Sequence, residues 1–179
     1  VSEYQSFLFP ANGEYKAEMT LWRVPKGGMA TQFEGGSTDA LRKKYEDGTH
    51  PLIRVWAGAS VPWGTTEALY REMVAYSNDT GVPYTMHILE TEEDNLFTQK
   101  NFGKSVVETM ESFGALTDRL LAVHCVCLKE EEIAAFVRNG VNACYCPTSN
   151  AYLGSGIPPM ASMLHQGVNI TMGTDGAAS

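Results

Sequence analysis

From residue 52 onward the chain alternates short β-rich runs with helical periods, a rhythm that predicts an α/β fold with a parallel sheet. The connecting segments leave room only for crossover helices, which makes successive strands parallel. Three of the β-rich runs also end on a residue that binds metal or moves protons. Tyr84-Thr85-Met86 runs into His87, Leu120-Leu121-Ala122-Val123 into His124, and the run from Val168 to Thr174 into Asp175. Side chains at the C-terminal ends of parallel strands converge on one mouth, where (β/α) barrels keep their chemistry. The expected architecture is part of such a barrel with one site at its mouth.

The elements follow in order. Residues 1–51 are irregular in pattern, with Gly27-Gly28 and Gly35-Gly36 as expected loops and a helical stretch over 38–46. Residues 52–57 form a β-rich run that ends in Gly58-Ala59-Ser60. A helix is expected over 65–79: Leu69, Met73, Val74 and Tyr76 recur at helical spacing, Thr65 or Thr66 can cap its start, and Gly81 can end it. A strand over 82–87 comes next. A polar loop over 90–95 then leads to a helix over 104–113, closed by Gly114.

After the strand at 120–124, residues 129–139 read as an amphipathic helix. Its Glu130, Glu131 and Glu132 sit where the helix dipole favours negative charge. A strand over 141–146 leads into a long loop holding Asn150, Gly154 and Gly156. Pro158 and Pro159 open a helix that runs through His165, Gly167 ends it, and 168–173 is the last strand. One domain spans 1–179, with no internal repeat.

With 44% apolar residues, 179 residues support one ordinary core. A complete (β/α) barrel takes about 250. The chain is therefore expected to be a piece of a larger enzyme, and its end four residues past Asp175 points the same way. The formal charge of -8, the pI near 4.9 and the lack of a Lys/Arg-rich run exclude a nucleic-acid footprint. No apolar run approaches the roughly 20 residues of a membrane span. Val1-Ser2-Glu3-Tyr4-Gln5 has neither the basic nor the apolar part of a secretory signal. A cytoplasmic protein with reduced thiols is the expectation.

The four cysteines form two C-x-C pairs, Cys125/Cys127 and Cys144/Cys146. A zinc site of four thiolates is one reading, although such sites usually place C-x2–4-C on turns. Alternation along two neighbouring strands would instead put each pair on one face, as small apolar packing residues.

His87 with Glu90 forms H-x-x-E at a strand end. The imidazole offers a neutral nitrogen ligand, and the carboxylate can take and return a proton. The plain alternative is that Glu90 merely opens the acidic run 90–94. His124, ending an apolar strand, could be a satisfied core group, and Asp175 before Gly176 could be a turn aspartate. Three such residues at neighbouring strand ends are hard to assign to three accidents. Trp63, in the loop after the first clear strand, either lines a substrate pocket at the same mouth or packs. Ser149 and Asn150 are expected to brace the mouth through loop backbone. His165 suits a helix C-terminus, and His50 precedes Pro51 in a loop; neither reads as catalytic.

Several runs carry a resemblance: His87-Ile88-Leu89-Glu90-Thr91; Ala122-Val123-His124-Cys125-Val126; Cys146-Pro147-Thr148-Ser149-Asn150 on to Leu153-Gly154-Ser155-Gly156-Ile157-Pro158-Pro159; and Gly167-Val168-Asn169-Ile170 into Gly173-Thr174-Asp175-Gly176. Over 52–179 the chain resembles the amidohydrolase superfamily, in its cytosine deaminase-like group of guanine deaminases, methylthioadenosine/S-adenosylhomocysteine deaminases and s-triazine hydrolases. The resemblance implies an α/β fold, a partial TIM (β/α) barrel of the metal-dependent hydrolase type, lacking the first strands and the β-sandwich. It makes His87 and Asp175 metal ligands. It makes Glu90, His124 and Asp175 catalytic, with Glu90, His124 and Trp63 against the substrate. The cofactor would be one divalent ion, zinc or else iron.

The family's H-x-H pair on the first strand has no counterpart, because the histidines are His50, His87, His124 and His165. A second histidine common three residues after the strand-6 one is Cys127 here. The implied activity is removal of an amino group from an N-heterocycle of purine, pyrimidine, pterin or triazine type. Metal lowers the pKa of bound water from roughly 15.7 to about 7, and the resulting hydroxide attacks the ring carbon. The alternatives are triazine-type dechlorination or N-dealkylation, or a non-catalytic barrel remnant. A small heterocyclic substrate and a homo-oligomeric full-length enzyme complete the expectations, with neither nucleic acid nor membrane as partner.

Overall fold

The computed structural model describes the backbone of residues 2–7, 18–24, 31–48, 54–59 and 61–175, and the side chains of 38–48, 54–59 and 61–175. His50, Ser60, Gly176 and the Gly27-Gly28 loop lie outside the described residues. The first part of the chain is more regular than its pattern predicts. Strands β1 (Ser2–Phe7), β2 (Glu18–Val24) and β3 (Thr31–Ser37) pair antiparallel in that order, with a register shift between Leu21 and Trp22. Gly35 and Gly36 therefore belong to a strand, paired with Thr20 and Met19, and not to a loop. Helix α1 (Thr38–Tyr45) follows, as its pattern predicts.

The second sheet is the expected parallel one. Strands β4 (Ala57–Gly58), β5 (Tyr84–Ile88), β6 (Leu120–His124), β7 (Asn142–Tyr145) and β8 (Asn169–Met172) lie in sequence order. All four pairings are parallel. The β-rich run at 52–57 contributes a strand only from Ala57 onward among its described residues. Crossover helices join the strands: α2 (Glu67–Thr80), α3 (Glu93–Phe102), α4 (Val106–Ser112), α5 (Ile133–Asn139), α6 (Pro147–Leu153) and α7 (Met160–Gln166). None of the described helices is long and apolar enough to cross a membrane.

Local chemistry explains these boundaries. Thr66 accepts a hydrogen bond from the Leu69 amide at the start of α2, and Gly81 closes it in the left-handed conformation, φ 71°. Ser105 and Glu108 form a reciprocal capping box at α4. The acidic triplet at 130–132 forms a 3-10 turn leading into α5, so the helix expected over 129–139 starts one turn late.

Two segments expected to be loop are helical. Helix α3 occupies part of the polar loop over 90–95, and α6 occupies the start of the long loop after β7. Both bury polar side chains: Asp94, Asn95 and Thr98 in α3, Ser149 and Asn150 in α6. A helix whose buried face is polar shows no apolar stripe, so its period is invisible in sequence. The core between sheet and helices is built from Tyr84, Met86, Ile88, Leu120 and Ala122, against Val106, Met110, Ile133, Phe136 and Met163.

Candidate metal centre at the strand ends

Strands β5 and β6 alternate in burial, and this alternation raises a difficulty for the site. Tyr84, Met86 and Ile88 pack in the core, as do Leu120 and Ala122, and His124 continues the buried positions of β6. His87 lies on the opposite face, with Thr85. Regular pleating would therefore send His87 and His124 to opposite sides of the sheet. The backbone resolves this at His124, which adopts φ 74° and so swings its side chain out of the strand's alternation. The two imidazoles end up stacked, with centroids 5.3 Å apart and planes 26° from parallel.

Four described non-glycine residues have left-handed φ: Leu89 (55°), His124 (74°), Cys125 (55°) and Asp175 (66°). All of them follow or end β5, β6 or β8. Such conformations cost on the order of 1–3 kcal/mol each and persist where the surroundings enforce them, typically at functional sites.

The side chains converge accordingly. His87 Nε2 lies 3.4 Å from Asp175 Oδ1, and His124 Nε2 lies 3.9 Å from Asp175 Oδ2 and 3.6 Å from Glu90 Oε2. Hydrogen bonds hold three of the four from behind. Ser149 donates to Asp175 Oδ2 at 2.7 Å, Ser155 donates to Glu90 Oε1 at 2.9 Å, and His124 Nδ1 lies 2.8 Å from Asn150 Oδ1. Ser149 and Asn150 thus brace site side chains and not, as expected, loop backbone. The His87 imidazole above all, with the Ser149 hydroxyl, holds the Asp175 carboxyl down at about 2 despite its partial burial.

One potential ligand atom from each of His87, His124 and Asp175 lies within 4.8 Å of the other two. His124 is 1% exposed, and its Nε2 has no hydrogen-bond partner among the described residues. A buried, unpartnered nitrogen facing a nearly permanent carboxylate fits a divalent cation, and nitrogen-plus-carboxylate donors suit zinc and ferrous iron.

The remaining expectations divide. Trp63, on a 3-10 turn at Pro62–Gly64, is 60% exposed. With Thr91, Glu93 and Phe97 it lines a cavity of about 390 Å³ that includes none of the four converging residues. His165 sits exposed in the last turn of α7, as expected. The cysteines are free thiols. Cys125 and Cys127 lie past the end of β6 and do not alternate along it, because the chain turns left-handed at His124 and Cys125. Cys144 and Cys146 face β8 so closely that a Cβ on Gly173 would come within 2.8 Å of one sulfur and 3.2 Å of the other. Packing between β7 and β8 accounts for that glycine. Ser155 as partner of Glu90 went unforeseen; its only sequence signal is its place in the L-G-S-G run.

The fold is part of a (β/α) barrel, with ligand-type residues beyond or at the ends of β5, β6 and β8. Residues 20–179 match the Amidohydrolase family, and the chain belongs to it. It is 34% identical to a 5'-deoxyadenosine deaminase of Methanopyrus kandleri, over 97% of this chain and 42% of that protein. It is likewise 34% identical to a 5-methylthioadenosine/S-adenosylhomocysteine deaminase of Syntrophus aciditrophicus, over 89% of this chain and 36% of that one. A zinc-bound adenosine deaminase from Xanthomonas campestris superposes with a TM-score of 0.74 at 29% identity, covering 79% of this chain and 32% of its own. The chain thus spans between about a third and two fifths of these relatives' length, and the parallel sheet is the corresponding part of the family's barrel.

Proposed function

We propose that this chain supplies the strand-5, strand-6 and strand-8 part of the active site of a metal-dependent aminohydrolase acting on an N-heterocycle. The observation that carries the reading is the convergence of His87, Glu90, His124 and Asp175 at one mouth. The activities named for the relatives favour an adenine-type nucleoside as substrate.

His87 and Asp175 would hold the ion, zinc by analogy with the Xanthomonas campestris protein, with His124 Nε2 facing the same space. A zinc ion there supplies a water whose pKa falls to about 7. Asp175, whose carboxyl is held low by His87 and Ser149, would serve as a ligand and accept a proton, while Glu90 would shuttle protons to the substrate. Glu90 would take a proton from the attacking water and give it to the ring nitrogen, then take the remaining hydroxyl proton and give it to the departing amine. His124, whose Nε2 lies 3.6 Å from Glu90 Oε2, would orient the attacking hydroxide or polarise the group under attack. Trp63, with Phe97 and Thr91, lines a cavity whose aromatic wall would take the substrate's non-reacting part.

The test is ammonia release from 5'-deoxyadenosine or methylthioadenosine by the complete protein with zinc. Glu90→Gln keeps the shape of the side chain and removes its proton transfer. It should lower kcat by about 10²–10⁴-fold. An unchanged rate in that variant would sink the reading.

A further inference from the structure

Three residues of one short segment each hold a different member of the candidate site. Ser149 and Asn150 lie in the first turn and a half of α6, and Ser155 follows its C-cap. Ser149 reaches Asp175 beyond β8, Asn150 reaches His124 at the end of β6, and Ser155 reaches Glu90 beyond β5. Ser149 is fully buried and Asn150 is 1% exposed, and the Asn150–His124 contact is buried on both sides, away from bulk water. The helix carrying them is set by Pro147 at its first position and by Gly154, φ 73°, at its end. The same Gly154 turn brings the Ser155 amide back to the Asn150 carbonyl at 3.0 Å, fixing Ser155 relative to the helix.

We propose that Ser149, Asn150 and Ser155 form a single positioning unit, in which Asn150 dictates the tautomer of neutral His124 by accepting its Nδ1 proton. A neutral imidazole carries one proton, so a proton on Nδ1 leaves Nε2 with a lone pair. That lone pair points into the space shared with Glu90 Oε2 and Asp175 Oδ2. Three acceptors facing one another repel unless a proton or a cation lies between them. The unit therefore holds the site in a state that attracts a cation or a protonated substrate nitrogen. Outer partners of this kind fix the orientation and basicity of the groups they touch. With Asn150 truncated, His124 would be free to carry its proton on Nε2 and pair with the carboxylates directly.

The catalytic part of this inference rests on the proposed function; the tautomer does not. Nitrogen-15 NMR of the histidine rings in the metal-free protein, in alkaline buffer where imidazoles are neutral, should show the Nδ1–H form at His124. Asn150→Leu, which removes the acceptor at similar volume, should shift His124 toward Nε2–H, and Asn150→Asp, which keeps an acceptor, should retain Nδ1–H. An Nε2–H form in the unmutated chain overturns the proposal without any variant, as does an unchanged tautomer in a folded Asn150→Leu. In the active protein Asn150→Leu should lower kcat by about 10–100-fold with KM nearly unchanged, and Asn150→Asp should restore most of it. Equal loss in both variants would mean packing alone and would overturn the positioning role. Absence of aminohydrolase turnover in the unmutated protein would refute the proposed function while leaving the tautomer measurement to decide this inference.

Discussion

Among single residues, Asp94 departs most plainly from the rule that buried charge is paired. It is 4% exposed, and burial raises its carboxyl to about 6, although the amides of Leu89 and Glu90 pull the other way. A carboxyl with an unfolded value near 3.9 binds its proton more tightly when folded. Between about pH 4 and 6 the native chain holds this proton and the unfolded chain does not, so this residue's contribution to stability falls as pH rises through that window. Asp94→Asn is therefore expected to flatten the loss of stability between pH 4 and 6 and to raise stability at pH 7 by about 1–3 kcal/mol. Urea unfolding at several pH values checks this, and a variant no more stable at pH 7 would refute it. The residue's position was legible as acidic, but its burial was not. Nothing in the run Glu90-Thr91-Glu92-Glu93-Asp94 distinguishes the one acid turned inward from its solvated neighbours. His87, His124 and Asp175 were legible as candidates because each follows an apolar run toward a strand end, and Glu90 through its H-x-x-E spacing from His87.

The elements differ in how openly they declared themselves. Strand β6 has the bounds its apolar run predicts, and α2 begins and ends within two residues of its expected limits. Both have an apolar face, and α2 has a conventional threonine N-cap and glycine C-cap. Helix α4 owes its start to the Ser105–Glu108 box, in which the Glu108 amide donates to Ser105 Oγ at 3.2 Å and the Ser105 amide donates to Glu108 Oε2 at 2.9 Å. Ser105→Ala should lower stability by about 0.5–2 kcal/mol. Because α4 provides no site residue, kcat/KM should stay unchanged in the same variant; thermal melts and turnover together test it. Helices α3 and α6 stayed hidden because their inward faces are polar. In α3 the cause is visible: Asn95 Oδ1 accepts the Val106 amide at 3.2 Å, so a polar side chain is spent on capping the next helix.

At the scale of the molecule, the parallel sheet has two open edges among the described residues, β4 with two residues and β8 with four. Strand β8 exposes Asn169, Thr171 and Met172, the last at 65%. Unpaired strand edges with apolar side chains are templates for association. The 179-residue chain alone is therefore expected to self-associate at micromolar concentration, and Met172→Lys should shift it toward monomer, as measured by light scattering. A monodisperse monomer without that change would contradict the argument. The sequence by itself determined the α/β class and the parallel pairing of its strands, and it singled out the residues proposed for the site. These follow from periodicity and from motif order, which are local properties. Only the tertiary structure decided that His87 and His124 share one side of the sheet, because a left-handed residue reverses the strand's alternation. It also decided that Ser149, Asn150 and Ser155 reach across to β8, β6 and β5. Contacts between residues up to 65 positions apart depend on how helices pack on the sheet, and no local pattern encodes that.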